Sequence, residues 1–310
     1  RDAGMERQKR RAGDASPGRP HSRNATAGRP ARARLRLLLC GMIVALSALW
    51  AQGAPAPGGR LQQLLADLPT SDTKESLRVA RELVKLGAPG LRVMISMLVP
   101  RGNERDDANV RRALHMLAFH VSRPGASGEQ RVFTQELARA VSMTTEPDVR
   151  VFLIEELQAG GGKSAIPALS ALLKDSRFAH SASRAMLKID PSASSRYLRI
   201  ALESATTTQT QRVLIQALGR TQDRTIVSAV TPFARSNDAM LRLEARLALA
   251  GTGDPAAEEY FSGLPASADG YLAAKEMSSL LLYARNLAAR GHAKSAIAIC
   301  TRILDAPLEQ

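Results

Sequence analysis

Six leucines recur along this chain at nearly even steps: Leu86, Leu117, Leu157, Leu187, Leu218 and Leu249 stand 31, 40, 30, 31 and 31 residues apart. Each closes a stretch whose apolar residues return at helical spacing, and each is followed by a short polar or glycine-rich turn and a second such stretch. LVKLGAPGLRVMISML, ELQAGGGKSAIPALSALLKD and IQALGRTQDRTIVSAVTPFA all follow this order. The one long interval contains SRPGASG, Ser122 to Gly128, a turn-rich insertion in the series. A helical hairpin of about thirty residues cannot bury its apolar face alone, so neighbouring hairpins must stack and share one core. The spacing predicts an all-α fold, a superhelix of stacked hairpins.

Only 4% of the 310 residues are aromatic. Packing must therefore come from Leu, Ala, Val and Ile, a mixture that favours helices. The formal net charge of +14 is unevenly placed: residues 1–53 carry eleven Lys and Arg against three acids, the remainder 32 against 26. Most of the basicity sits where Arg29, Arg32, Arg34 and Arg36 precede LLLCGMIVALSALW, fourteen apolar residues, and then Ala51-Gln52-Gly53. Basic, apolar and small segments in that order predict a secretory signal cut after Gly53, and so an exported protein, periplasmic or secreted. The run is short for a membrane span, which needs about twenty residues; an anchor retained over residues 37–50 and an organelle presequence are the alternatives. Met5 is the first initiator-like residue, and Cys40 lies too deep in the apolar run for a lipid-bearing junction. After such a cut Cys300 is the one cysteine left, so no internal disulfide is expected. PAPGGR, Pro55 to Arg60, reads as a flexible linker.

EPDVRVFLIEELQ, DDANVRRALHMLAFH and NDAMLRLEARLALAGTGDPAA each place an Asp before a helix that opens with Val-Arg or Leu-Arg, and AIPALSALLKD suits the second helix of the same pattern. In these features the chain resembles the HEAT-repeat class, in particular its phycobilisome-lyase-like branch, from about Asp72 to Pro265. FAHSASRAMLKID lacks the Val-Arg pair, and the unit of Leu117 carries the insertion, so these two depart most. The resemblance implies a right-handed α-α superhelix, a solenoid of HEAT-like hairpins. It also implies that Asp107 with Arg111, Asp148 with Arg150 and Asp238 with Arg242 form a ladder of charge and hydrogen bonds between units; helix-start acids and solvated arginines are the alternative reading. LLLYARNLAARGHAKSAIAICTRIL, Leu280 to Leu304, resembles a single tetratricopeptide-type hairpin. There Ala284 packs small, Gly291 makes the turn, and Ala296 and Cys300 face inward. The expected organisation is a basic N-region and signal over 1–53, a linker and leading turn over 54–70, HEAT-like repeats over 71–265 and a capping hairpin over 266–310.

Chemistry-bearing motifs are sparse. LQAGGGKSAIP matches the second half of the phosphate loop G-x-x-x-x-G-K-[ST], but Leu157 occupies the first glycine position, and the stretch before it is helical rather than a strand. It is expected to be a helix-to-helix turn. Ser71-Asp72-Thr73-Lys74 matches S-x-x-K without its partner motifs, and Asp72 with Glu75 is better read as a capping box. None of His115, His120, His180 and His292 adjoins a Glu, and His115 and His120, five apart, diverge by about 140° on a helix with roughly 3.6 residues per turn. No catalytic residue, cofactor or metal ligand is therefore assigned.

What remains is surface. By analogy with the family, second helices line the concave side of such a solenoid and dock partners. Their outward positions here include Arg92, Arg131, Arg139, Arg196, Arg199, Arg224 and Arg235, interrupted by Glu136 and Glu203. Such a basic stripe suits an acidic protein or polysaccharide; an ordinary solvated face is the alternative. Nucleic acid is disfavoured, since no aromatic residues interleave the arginines for base stacking. Membrane contact is expected only through an uncleaved N-terminal segment. The expected function is a non-catalytic, exported scaffold that binds protein along its concave face; a lyase-type enzyme acting on a chromophore or cofactor is the alternative implied by the resemblance.

Overall fold

The computed structural model describes residues 57–68, 72–265 and 268–305; the basic N-terminal segment, the apolar run and the candidate cleavage site lie outside them. Helices follow one another as α1 Pro57–Ala66, α2 Thr73–Lys85, α3 Gly87–Met97, α4 Ala108–Val121, α5 Ser127–Met143, α6 Pro147–Gly160 and α7 Ile166–Ser170. The series continues with α8 Ala179–Ile189, α9 Pro191–Glu203, α10 Thr208–Thr221, α11 Val227–Val230, α12 Ala239–Thr252, α13 Gly270–Ala289 and α14 Ala293–Leu304. No strand occurs among the described residues.

The helices form two rows. In the first, α2, α4, α6, α8, α10, α12 and α13 each pack against the next; in the second, α3, α5, α7, α9 and α11 do the same, and α14 closes on α13. The fold is an all-α solenoid of stacked hairpins. Its core runs unbroken from Leu61 and Leu64 in α1 through Leu114, Leu153, Leu214 and Leu249 to Leu287, all buried. Aspartates set four of the described helix starts, because a carboxylate before the first turn takes up backbone N–H groups left without helical partners, worth about 1 kcal/mol each. Asp72 accepts from Lys74 N at 2.8 Å, Asp190 from Ala193 N at 2.9 Å, Asp238 from Leu241 N at 2.8 Å and Asp269 from Tyr271 N at 2.8 Å. Glu75 pairs with Arg78, whose Nε lies 2.8 Å away.

Small residues decide how closely the first row packs. A Cβ built on Gly160 of α6 would run into the backbone of Ala118 in α4, and one on Gly219 of α10 would come within 2.9 Å of Ala248 Cα in α12. At both seams the main chains touch, which only glycine permits.

Three expectations need correction. The linker of residues 54–70 is largely helix: α1 begins at Pro57, and Leu61, Leu64, Leu65 and Leu68 are buried at helical spacing. Two of the second helices are shorter than their sequences suggest. AIPALSALLKD yields only α7, five residues, preceded by a 3-10 turn at Lys163–Ala165. TIVSAVTPFA breaks into 3-10, α and 3-10 pieces, since Pro232 has no N–H to donate and crowds the preceding turn. The third is Cys300, which is exposed rather than inward. Ala296 and Ile299 hold the buried side of α14, and one residue further on points about 100° away.

Candidate functional site

The six ladder residues lie near the helix starts of the first row. Asp107 accepts from Val99 N at 2.9 Å and from Arg111 Nε at 3.0 Å. Arg111 in turn donates to Val99 O at 2.8 Å and covers the Phe152 ring of the next unit, 4.7 Å from its centroid. Asp148 reaches back to Arg101 N at 2.6 Å, and that bond, with Arg111 nearby, holds its carboxyl below the usual range. Asp107, Arg111 and Asp148 thus connect consecutive units. Asp148 and Arg150 do not pair: Arg150 donates to Thr144 O and stacks over Phe178 at 4.9 Å. Asp238 caps α12, whereas Arg242 donates to Ser236 O at 2.7 Å and lies 4.0 Å from Glu276.

Of the seven candidate partner arginines, three are held in ion pairs. Arg92 makes a two-pronged contact with Glu136 at 2.8 and 2.7 Å; Arg224 meets Asp254 and Arg235 meets Glu259, each at 2.7 Å. Arg235 also covers the Tyr260 ring. Arg199 is half-buried close to Asp223, whose carboxyl is lowered by bonds from Ser195 and Thr225 against the opposing cost of burial. Only Arg131, Arg139 and Arg196 stand free on the surface. A groove of about 370 Å³ opens between α3, α5 and α6, with Arg92 and Arg139 on its rim and Ile95, Leu98, Val149 and Leu153 below. Met143 beside it is 67% exposed.

Three carboxylates of the first row, Glu156 and Glu276 buried and Glu244 half-buried, were not anticipated. Glu156 of α6 faces His115 of α4, with Nδ1 3.0 Å from Oε1; Glu244 of α12 takes a bond from Gln216 and lies 3.9 Å from Arg212; Glu276 of α13 lies 3.7 Å from Arg246. Each acid is answered by a base from the preceding unit. The signal was present in the sequence, since Glu156 and Glu244 fall three residues after Leu153 and Leu241, on the apolar stripe where an acid is out of place. Burial raises the proton affinity of Glu156, and His115 opposes the rise. Phe119, largely exposed, meets the His115 ring edge-on at 4.9 Å. Among the described residues this is the one place where an imidazole and a carboxylate lie within hydrogen-bond distance, a geometry suited to proton transfer. Among the described residues no group of His, Cys, Asp and Glu could hold a metal ion, and LQAGGGKSAIP runs from α6 into the 3-10 turn before α7 rather than from a strand.

The last hairpin differs from all others. α13 and α14 enclose an open groove of about 520 Å³, floored by Ala284, Ala288, Ala293 and Ala296. Leu281, Ile297 and Leu304 border it at 49, 64 and 83% exposure. A terminal repeat that seals an array turns a polar face outward; among the described residues this one turns an apolar face outward. No helix among the described residues is long and apolar enough to cross a membrane.

No known family model matches the sequence, and no curated protein matches it. Solved structures that resemble the fold include the following two. One is an engineered protein from the Northeast Structural Genomics Consortium, 18% identical, with a TM-score of 0.41 over 81% of this chain and 75% of the other. The second is the complex of CpcE and CpcF of phycocyanin lyase from Nostoc sp. PCC7120, also 18% identical, with a TM-score of 0.33 over 81% of this chain and 95% of the other.

Proposed function

We propose that this chain is a non-catalytic, exported scaffold of the HEAT class that binds another protein through its helix faces. The observation that carries the reading is the uncovered groove of α13 and α14, because exposed contiguous apolar surface on a soluble domain marks an interaction site. The occupant suited to it is an amphipathic helix lying where the first helix of a further repeat would stack. Its charge follows from Arg285, which lines the groove, and from Lys275, Arg290 and Lys294, exposed on the same two helices; an acidic polar face complements them. The groove by Arg92 and Arg139 offers a second contact on the second-helix row. The export part of the reading rests on the basic, apolar and small segments of the N-terminal region.

A photo-reactive benzophenone side chain at position 297 of the full chain, irradiated in its native cells, should yield one protein adduct of fixed mass that is missing when the probe stands at Gln135. No adduct at 297, or the same adducts at both positions, overturns the reading. Mass spectrometry of the purified protein should find an N-terminus near Ala54. The enzymatic alternative draws on His115 and Glu156: a bound chromophore in the absorption spectrum, together with turnover abolished by His115→Ala, would replace the scaffold reading.

A further inference from the structure

The irregular interval in the repeat series has a physical consequence. The connection after α4 sets the first turn of α5 away from the end of α2, and the gap is a pit of about 220 Å³. Leu83, Leu91, Leu117, Val121, Val132 and Phe133 supply its walls. Two glycines, Gly87 and Gly128, stand at its edge, where a Cβ on Gly128 would touch nothing within 4 Å. An apolar cavity of about 150 Å³ suffices to hold benzene, so this pit has room for a ring with a substituent or for a folded chain of several carbons.

Its surroundings are charged. Val84 and Glu129 are shared between the pit and a vestibule of about 410 Å³, into which Arg78, Arg81, Lys85, His120 and Arg123 project. Most of these cations are already answered. Arg78 is held by Glu75 and Asp67, Lys85 by Glu82 at 2.6 Å, and Arg123 by Glu129 at 2.8 Å. Arg81 has no hydrogen-bond or ion-pair partner among the described residues. His120 is neutral in character, its proton affinity lowered by burial and then by Arg123, with Arg81 contributing and Glu129 opposing. The four cations of the vestibule are matched in number by Asp67, Glu75, Glu82 and Glu129, but Arg78 takes two of these acids, so Arg81 is left without a carboxylate at the mouth of an apolar pit.

We propose that this site between the α2–α3 and α4–α5 hairpins binds a small amphiphilic organic anion, a carboxylate whose ring or short alkyl chain enters the pit while its head group lies against Arg81 and Arg123. Both halves of the ligand are required by the two halves of the site. An apolar body alone leaves Arg81 without a partner, and an anion without a body leaves the pit unfilled. The site lies on a different part of the molecule from the α13–α14 groove and does not depend on it.

Calorimetric titration of the full chain with sodium octanoate and with 1-octanol tests it. Octanoate should bind saturably and at least several-fold more tightly than octanol. Arg81→Gln should weaken octanoate about fivefold, the scale of one partly exposed ion pair, and leave octanol unchanged. Glu129→Gln should tighten octanoate, since it removes the acid nearest the head group and releases Arg123. Val132→Trp should abolish binding of both by filling the pit; should that variant unfold, Val84→Trp, at the shared rim, takes its place, with thermal unfolding monitored for each. Absence of saturable heat at millimolar octanoate overturns the proposal, as does equal affinity for octanol, or binding that survives a filled pit.

Discussion

The front and the rear of this solenoid use the same hairpin differently. Between α2–α3 and α4–α5 the helices stand apart around a pit of about 220 Å³, whereas between α10 and α12 the main chains come so close that a Cβ on Gly219 would lie 2.9 Å from Ala248 Cα. The second elements vary as well, with seventeen residues in α5, five in α7, thirteen in α9 and four in α11. A seam closes where glycine and alanine face each other across it and the second helix is short. It opens where an inserted turn moves a long second helix outward. Openness is thus a local property of a few small residues and one loop, carried by an otherwise repetitive core.

Substitutions at glycine break or sharpen that contrast. The largest effect is expected at the tightest seam: Gly160→Val should cost about 3 kcal/mol, because its side chain meets the Ala118 backbone, which cannot move aside as a flexible side chain can. Urea unfolding should show a lower midpoint with an unchanged slope. Gly128→Ala reverses the sign. It lies in the first turn of α5 with open space around it, so a methyl group should stabilise by about 0.5–1 kcal/mol by the same measurement.

Two buried carboxylates sharpen the comparison through pH. Burial raises Glu156 above the ordinary carboxylate value, so folding favours its protonated form; stability should fall as pH rises from the unfolded value through the raised one. Glu156→Gln should flatten that decline and leave the protein about 1 kcal/mol more stable at neutral pH, with the hydrogen bond to His115 retained. Glu136 behaves oppositely. Arg92 holds it below the ordinary value, so its contribution is present above that value and is lost as pH falls through the depressed one; Glu136→Gln should remove that acid-side loss. The smallest effect on stability belongs to Ile297→Asp, on the open terminal groove. It should change the unfolding free energy by no more than about 0.5 kcal/mol while abolishing cross-linking of a neighbouring probe at position 281.

Much of the fold was legible because repetition and helix starts are written locally. The even leucines place the first-row helices, and Asp72, Asp190 and Asp238 mark where helices begin. The candidate surface was less legible. Arg92, Arg224 and Arg235 read as free cations along the chain, but their partners Glu136, Asp254 and Glu259 lie 24 to 44 residues away, and no local pattern announces such pairs. Cys300 was misplaced for a related reason: with Ala296 and Ile299 so near, a rotation of one position around α14 separates the core from solvent.

The sequence by itself determined the class of fold, since apolar residues at helical spacing in hairpins of about thirty residues have no way to leave water except against their neighbours. Tertiary structure alone decided which arginines are held in ion pairs, which acids are buried, where two hairpins part to leave a pit, and that the last hairpin turns apolar side chains outward among the described residues. Those outcomes depend on distances across the seams between units, and such distances are fixed only when the side chains of both sides are packed together.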